Sequence, residues 1–434
     1  MSWATAWPYL LLLLAAVGGH PWRRARRERH HAEEWAEAQA AGLNEPASLH
    51  PVVDPARCIG SSTCVRACPE QALGMVGGKA TLINASACIG HGACQAACPF
   101  DAISLVFGTE KRGVDIPLLT PQFETNVPGI FIAGELGGMG LIRKAAEQGR
   151  QAMEAIAARG RARDADQLDV VIVGAGPAGL SAGLAAIEKK LRYRIIEQED
   201  SLGGSVFHYP RQKVAMTAPV KLALVGQVRF NEVSKEKLLE FWHGVVLKFR
   251  LAIQFGERMQ SITPAGDSLV VSTSRGTLHT RSVLLAIGRR GTPRTLGVPG
   301  EDLPKVAYRL VDAAQYAGQA VLVVGGGDSA LEAAIAMADV PATQVTLSYR
   351  GDAFSRVKPK NRERLQRLQA EGRLSVRLRS EVEAISPADV TLRLPDGERL
   401  TLRNDAVIVC AGGQLPTPLL KDIGIRFETK HGTA

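Results

Sequence analysis

Asp169-Val-Val-Ile-Val-Gly174-Ala-Gly176-Pro-Ala-Gly179-Leu-Ser-Ala182 is the stretch that decides the fold of this 434-residue chain. The apolar run predicts a strand buried on both faces, the glycines a tight turn, and the small residues beyond them a helix. A lone G-x-G-x-x-G is a weak signal. Here the next apolar run, Tyr193-Arg-Ile-Ile-Glu197, ends in an acid. In that context Gly174, Gly176 and Gly179 let a pyrophosphate approach the helix N-terminus, and Glu197 takes the ribose hydroxyls. The pattern returns at Ala320-Val-Leu-Val-Val-Gly325-Gly326-Gly327-Asp328-Ser329-Ala330, followed by Gln344-Val-Thr-Leu-Ser-Tyr-Arg350. Gly325, Gly327, Asp328 and Ser329 therefore mark a second dinucleotide site. Arg350 stands where an acid would favour NADH, with Arg356, Lys358 and Lys360 close in sequence. Basic groups there meet a 2′-phosphate and favour NADPH over NADH; on a solvated face they would carry no such meaning. The fold class is α/β, with two Rossmann-like domains.

Six of the seven cysteines form two copies of one phrase: Cys58-Ile-Gly-Ser-Ser-Thr-Cys64-Val-Arg-Ala-Cys68-Pro69 and Cys88-Ile-Gly-His-Gly-Ala-Cys94-Gln-Ala-Ala-Cys98-Pro99. The repeat resembles the double motif of bacterial ferredoxins, C-x2-C-x2-C-x3-C-P, in which the last Cys of each run ligates the other cluster. The resemblance implies a small α+β domain with two iron–sulfur clusters. One would be held by Cys58, Cys64 and Cys98, the other by Cys88, Cys94 and Cys68. The second cysteine is missing from both runs, where Ser61 and His91 stand. Three thiolates suit a [3Fe-4S] cluster, or a [4Fe-4S] cluster whose last iron takes oxygen, nitrogen or water. Zinc sites would not explain the crossed spacing or the Cys-Pro endings.

The two dinucleotide units together resemble the two-dinucleotide flavoprotein family that includes thioredoxin reductase. The matching phrases are Leu284-Leu-Ala-Ile-Gly288, Gly325 to Ser329, and Thr125-Asn-Val-Pro-Gly129-Ile-Phe-Ile-Ala-Gly134-Glu135. The family implies FAD on the first unit, with Gly134, Glu135 and Gly204 joining the first glycine turn, and NAD(P)H on the second. In the family the Gly134 phrase lies near the C-terminus and an Asp takes Glu135's position. Here the phrase precedes the first unit. The end, Gly424 to Ala434, stops where the family would continue into it, and Phe107 to Pro117 resembles the tail that should follow. This order points to a circular permutation that sets the chain's end beside residues 107–125.

Thioredoxin reductases carry a C-x-x-C in the nucleotide domain, and bacillithiol disulfide reductases, which this part also resembles, carry a Cys in the first glycine turn. Neither is present. Cys410, in an apolar run, is the one cysteine outside the repeat. The clusters are then the built-in route for electrons leaving the flavin. His208 and Lys213, just after the first unit, are positioned in sequence to balance charge at a reduced flavin, or to form an ordinary surface loop. No general base is needed for hydride transfer to flavin, and no Ser-His-Asp or paired-acid arrangement is evident.

At the N-terminus, Met1 to Gly19 reads as an apolar run, followed by Arg23, Arg24, Arg26, Arg27 and Arg29. It is expected to be a transmembrane helix in the inner membrane, with the catalytic part cytoplasmic. The net charge of +9 is concentrated in that arginine cluster, with no aromatic-rich basic stripe, so nucleic acid is a poor partner. The expected domains are an anchor (1–22), a basic helical linker (23–50), a ferredoxin-like domain (51–105), an FAD domain (106–290, with 406–434 returning to it) and an NAD(P) domain (291–405).

The expected function is ferredoxin reductase-type electron transfer: NAD(P)H, FAD and two clusters exchange electrons with a redox partner, namely a ferredoxin, a flavodoxin or a membrane redox complex. A homodimer is left open. A flavin-site reductase of a small, disulfide-like substrate and a non-enzymatic iron–sulfur redox sensor are the alternatives.

Overall fold

The first helix, α1, runs unbroken over Trp3–Ala40 in a computed structural model of the chain. The structure describes residues 3–40, 46, 49–88, 90, 92–110, 113–138, 140–162, 164, 166–209, 211, 213–217, 219–230, 232–289, 291–354, 357–414 and 416–432, with backbone alone at 3–20, 216 and 292. His91 and Arg356, both expected site residues, lie outside the described residues. The chain divides into two units, Met1–Val114 with Ala353–Arg362 and Lys430–Ala434, and Asp115–Asp352 with Glu363–Thr429.

The membrane anchor is overturned: among the described residues no helix is long and apolar enough to cross a membrane. The uninterrupted apolar core is Leu10 to Val17, eight residues. At 1.5 Å per residue it spans about 12 Å, against a hydrocarbon core of ~30 Å. Trp-Pro-Tyr before it and Gly-Gly-His-Pro after it add no apolar length. The inner-membrane placement and the membrane as a partner fall with it. So does the division into anchor and linker, because α1 is continuous. Its later half carries a partly buried stripe at Glu28, His31, Trp35 and Ala38, spaced as one helical face.

That stripe meets a small α+β domain in the same unit. Its elements are β1 (His50–Val53), α2 (Thr63–Ala67), β2 (Leu73–Val76), β3 (Lys79–Leu82), α3 (Ala93–Ala96) and β4 (Ile103–Val106). β1 pairs with β4 and β2 with β3, both antiparallel, so each cysteine phrase folds as strand, loop, helix, strand. The N–H of Met75 donates to His31 Nδ1 at 3.1 Å, and that of Gly78 donates to Glu28 Oε1, which fastens α1 to the β2–β3 hairpin. His31 is thus a half-buried packing residue.

In the other unit, β6 (Ile130–Ile132), β7 (Leu168–Val173) and β8 (Tyr193–Glu197) belong to a seven-stranded sheet. Residues 253–255, β8, β7, 283–285 and β6 run parallel in that order. Ile130, Ile132, Val170 to Ile172 and Val283 to Leu285 are fully buried, as expected of parallel strands covered on both faces. The covering helices include α4 (Ile142–Ala158) and α5 (Pro177–Glu188). A second parallel sheet has the order 306–307, 406–409, 320–324, 344–349, 374–378. The chain's return to the first sheet therefore starts later than residue 406. Ala406–Val409 pairs with Ala320–Val324 in the second sheet, whereas Leu420, Ile423 and Ile425 pack in the core of the first. From there the chain's end meets the segment before β6. Asn126 Nδ2 donates to Gly424 O, Leu118 N to Arg426 O, and Thr429 Oγ1 to Asp115 Oδ1. Gly432 N donates to Phe107 O.

Candidate cofactor sites

The cysteines sit in the core of the small domain, where Cys58, Cys64, Cys68 and Cys94 are buried with Leu73, Met75 and Ile103. Each loop ends in a short helix that carries one thiol, Cys64 on α2 and Cys94 on α3. The electrostatics sort the thiols. Burial pushes the Cys64 thiol up, and the sulfurs that push it further are Cys58 and Cys98. Burial pushes Cys94 up to about 11, and its added neighbours are Cys88 and Cys68. Cys88 is raised by burial, then by Cys68 and Glu70. Cys64 therefore has Cys58 and Cys98 as its sulfur neighbours, and Cys94 has Cys88 and Cys68, so each neighbourhood draws on both phrases. Among the described residues no three His, Cys, Asp or Glu side chains converge to hold a single ion. In a cluster each thiolate binds its own iron, so the sulfurs need not share a focus. Buried and half-buried thiols from both phrases, with apolar walls, fit such a group.

The first glycine turn is built by contact between β7 and α5. A Cβ on Gly179 would stand 1.8 Å from the Gly174 carbonyl oxygen, so only glycine lets the helix start so close to the strand. Gly174 turns the chain with a left-handed φ of 108°. Gly176 caps α5, with Pro177 in its first turn and the following N–H groups available to an anion. Glu197 ends β8 buried, and its Oε2 accepts from Ala175 N at 2.7 Å while Oε1 accepts from Glu199 N at 3.1 Å. Burial holds this carboxyl above the ordinary range despite those bonds. A buried acid tied to the turn's backbone fits recognition of a ribose.

Gly134 donates its N–H to Gln148 Oε1 on α4 at 2.9 Å. Glu135 beside it is raised by burial, with Arg289 pulling the other way. A Cβ on Gly288 would lie 3.9 Å from Glu135 Oε2 and 4.0 Å from Ser205 Oγ. The Glu135 carboxyl therefore meets the end of the Leu284–Gly288 phrase and the loop that holds Gly204.

The second turn sets Gly325 between strand 320–324 and α7 (Asp328–Ala338), with Gly327 as the helix cap. Asp328 opens α7 partly buried, Ser329 is exposed, and Arg350 is exposed just beyond strand 344–349. The Tyr349 ring packs against the turn, since a Cβ on Gly326 would stand 2.2 Å from it.

His208 and Lys213 bond to side chains of the second Rossmann domain. Arg309 donates to His208 Nδ1, Arg211 pairs with Asp312 at 3.3 Å, and Lys213 Nζ lies 2.8 Å from Glu332 Oε2 on α7. The loop after the first glycine turn is therefore bonded to the second Rossmann domain. Tyr209 lies between: burial, then Glu135, then Glu332, hold its hydroxyl above the ordinary value. Arg289, Arg309, Asp312 and Glu332 were not singled out in the sequence, because no local pattern marks a residue whose partner lies more than a hundred positions away.

Comparison with known proteins agrees with this construction. A family described as pyridine nucleotide-disulphide oxidoreductase matches residues 171–433, and one described as a 4Fe-4S dicluster domain matches residues 50–99. Bacilliredoxin reductase Bdr of Bacillus subtilis is 28% identical over 272 residues, covering 61% of this chain and 83% of the relative. A ferredoxin–NADP reductase of Thermus thermophilus is 32% identical over 275 residues, covering 61% and 78%. The solved bacillithiol disulfide reductase of Staphylococcus aureus superposes with a TM-score of 0.53 at 27% identity, covering 60% of this chain and 81% of that one.

Proposed function

The chain belongs to the pyridine nucleotide-disulphide oxidoreductase family, and from that premise we propose that it carries electrons between NADPH, FAD, two iron–sulfur clusters and a ferredoxin-type partner protein. It is an FAD-dependent NAD(P)H oxidoreductase joined to a 4Fe-4S dicluster domain. When bound, the flavin converts a hydride's electron pair into single electrons and the clusters carry them. One observation carries the reading. Two thiol triplets share a chain with two dinucleotide turns, and no dithiol accompanies either turn.

The residues then divide the work. The turn Gly174, Gly176, Gly179 receives the FAD pyrophosphate and Glu197 its ribose, while Gly134, Glu135 and Gly204 border the flavin. Gly325, Gly327, Asp328 and Ser329 receive the nicotinamide dinucleotide. Arg350, exposed at the end of its strand, meets a 2′-phosphate, which favours NADPH. Cys58, Cys64 and Cys98 hold one cluster, and Cys68, Cys88 and Cys94 the other. The chain order is a circular permutation: the hydrogen bonds from residues 424–432 to 107–126 close the join a linear relative would make covalently.

The relatives also include disulfide reductases. A flavin-site disulfide reductase would keep turning over after its clusters were removed. The test is anaerobic titration with stoichiometric NADPH, followed by visible absorbance and low-temperature EPR. A cluster signal that changes as the flavin bleaches supports one internal path. A flavin that bleaches with every cluster signal unchanged overturns it.

A further inference from the structure

The two triplets differ in what surrounds them. On the first, Cys58 is followed by Ile59 and Cys98 by Pro99-Phe100, and Ile59 is 65% and Phe100 45% exposed. Ser61, at the position of the missing fourth thiolate, is also exposed, and its Oγ lies 3.0 Å from Thr63 Oγ1. This loop is held in place. Gly60 has a left-handed φ of 76°, and a Cβ there would stand 2.4 Å from the Gly78 carbonyl oxygen. Lys79 Nζ donates to Cys58 O at 2.6 Å. Arg57 keeps its side chain 65% exposed at the same loop. Beside the second triplet the half-buried Cys88 thiol contacts the Leu49 carbonyl at 3.9 Å, Gly90 packs on the Leu49 backbone, and Leu49 and His50 are both buried.

We infer that the cluster corner at Ser61 is an open ligand site that takes a low-molecular-weight thiol as its fourth thiolate. The inference rests on the iron–sulfur reading above. Iron–sulfur corners are thiolate sites, and soft sulfur donors suit them better than a hard hydroxyl oxygen. The corner faces solvent, so an external donor can reach it. Ile59 and Phe100 offer apolar contact to the thiol's carbon stem, while Arg57 is paired with Asp54 at 3.5 Å. The exchange balances without an oxidant. With water as the fourth ligand, the Fe–O bond would break as the Fe–S bond formed, the water leaving to solvent together with the thiol's proton.

The test is EPR of the reduced, cluster-loaded full-length protein, titrated with 2-mercaptoethanol while iron and sulfide content are followed. One cluster signal should shift its g-values saturably, with iron content constant and the other signal fixed. Ser61→Cys should show a shifted spectrum without added thiol and no further response, because its own thiolate fills the corner. Ser61→Ala, which preserves the opening, should respond as the unmodified protein does. Two intact cluster signals that ignore the thiol overturn the inference, as does a Ser61→Cys protein that responds like the unmodified one. Absence of iron, sulfide and both signals instead overturns the iron–sulfur reading itself.

Discussion

Lys213 Nζ lies 2.8 Å from Glu332 Oε2, so a loop following the first glycine turn is ion-paired to the helix that opens the second dinucleotide site. Both side chains are about two-thirds or more buried, and Lys213 also lies 5.1 Å from the Tyr209 ring centre. Partial exposure limits the pair to about 0.5–1 kcal/mol. Lys213→Ala and Glu332→Ala should each lower the urea midpoint modestly. The double variant should lose less than the two losses added, by that amount. Strict additivity would show that the pair is a contact without coupling.

The grouping of the thiols makes a prediction about iron. Cys58 and Cys98 belong to one triplet, Cys58 and Cys68 to different ones. A Cys58→Ala/Cys98→Ala protein should therefore keep about as much iron as Cys58→Ala alone. A Cys58→Ala/Cys68→Ala protein should lose both clusters. Iron and sulfide analysis after anaerobic reconstitution decides it, and the reverse ranking would mean that each cluster is held within its own phrase.

Both results depend on features of unequal visibility in the sequence. The glycine turns were legible because their constraint is local: Gly174 and Gly179 must approach within one turn whatever the rest does. The dicluster domain was legible because the cysteine phrase repeats with its spacing intact. The N-terminal run has the composition of a span but not its length, and Glu28 and His31 find their partners, Gly78 and Met75, more than forty residues away. Ala406-Val-Ile-Val409 reads equally well as a strand of either sheet. Its neighbour in space, Ala320–Val324, decides between them, and nothing in its own residues does. The same holds for Lys213 and Glu332.

Asp169 opens β7 with its carboxylate buried. Burial alone would raise it. The N–H groups of Arg192 at 2.8 Å and Ala162 at 2.7 Å, then the Arg192 guanidinium at 3.3 Å, outweigh that and hold it below its ordinary value. A depressed carboxyl contributes stability that is present above the unfolded value of about 3.9 and is lost as pH falls through the folded one. Asp169→Asn leaves one N–H without an acceptor, at a cost of about 1–3 kcal/mol at neutral pH. Urea unfolding at pH 7 and in steps toward pH 3 should show a lower midpoint for the variant and a flatter acid limb. Equal midpoints at pH 7 would mean the carboxylate is not needed there.

Arg350 follows the strand that ends at Tyr349 and is exposed. A guanidinium on a 2′-phosphate forms a charge-assisted bond of roughly 1.5–3 kcal/mol. Arg350→Gln should raise KM for NADPH about tenfold or more and leave NADH kinetics nearly unchanged. Equal losses with both nucleotides would move Arg350 from nucleotide selection to a structural role.

Glu197 has the sharpest consequence for the flavin. Its two carboxylate oxygens already accept from Ala175 and Glu199, so the acid shapes the glycine turn and, in the proposed site, would keep its remaining lone pairs for a ribose. Glu197→Gln keeps one acceptor oxygen and turns the other into a donor that faces an N–H. Losing a hydrogen bond to a charged group of about 1.5–3 kcal/mol weakens FAD retention by roughly ten- to a hundredfold. The purified variant should lose flavin on gel filtration that the unmodified protein keeps, and excess FAD should restore its visible spectrum. The iron-to-protein ratio should stay fixed, because the thiol triplets lie in the other unit. Full flavin retention by the variant would place the ribose away from Glu197. Loss of iron together with flavin would point to general misfolding in place of a local change at the turn.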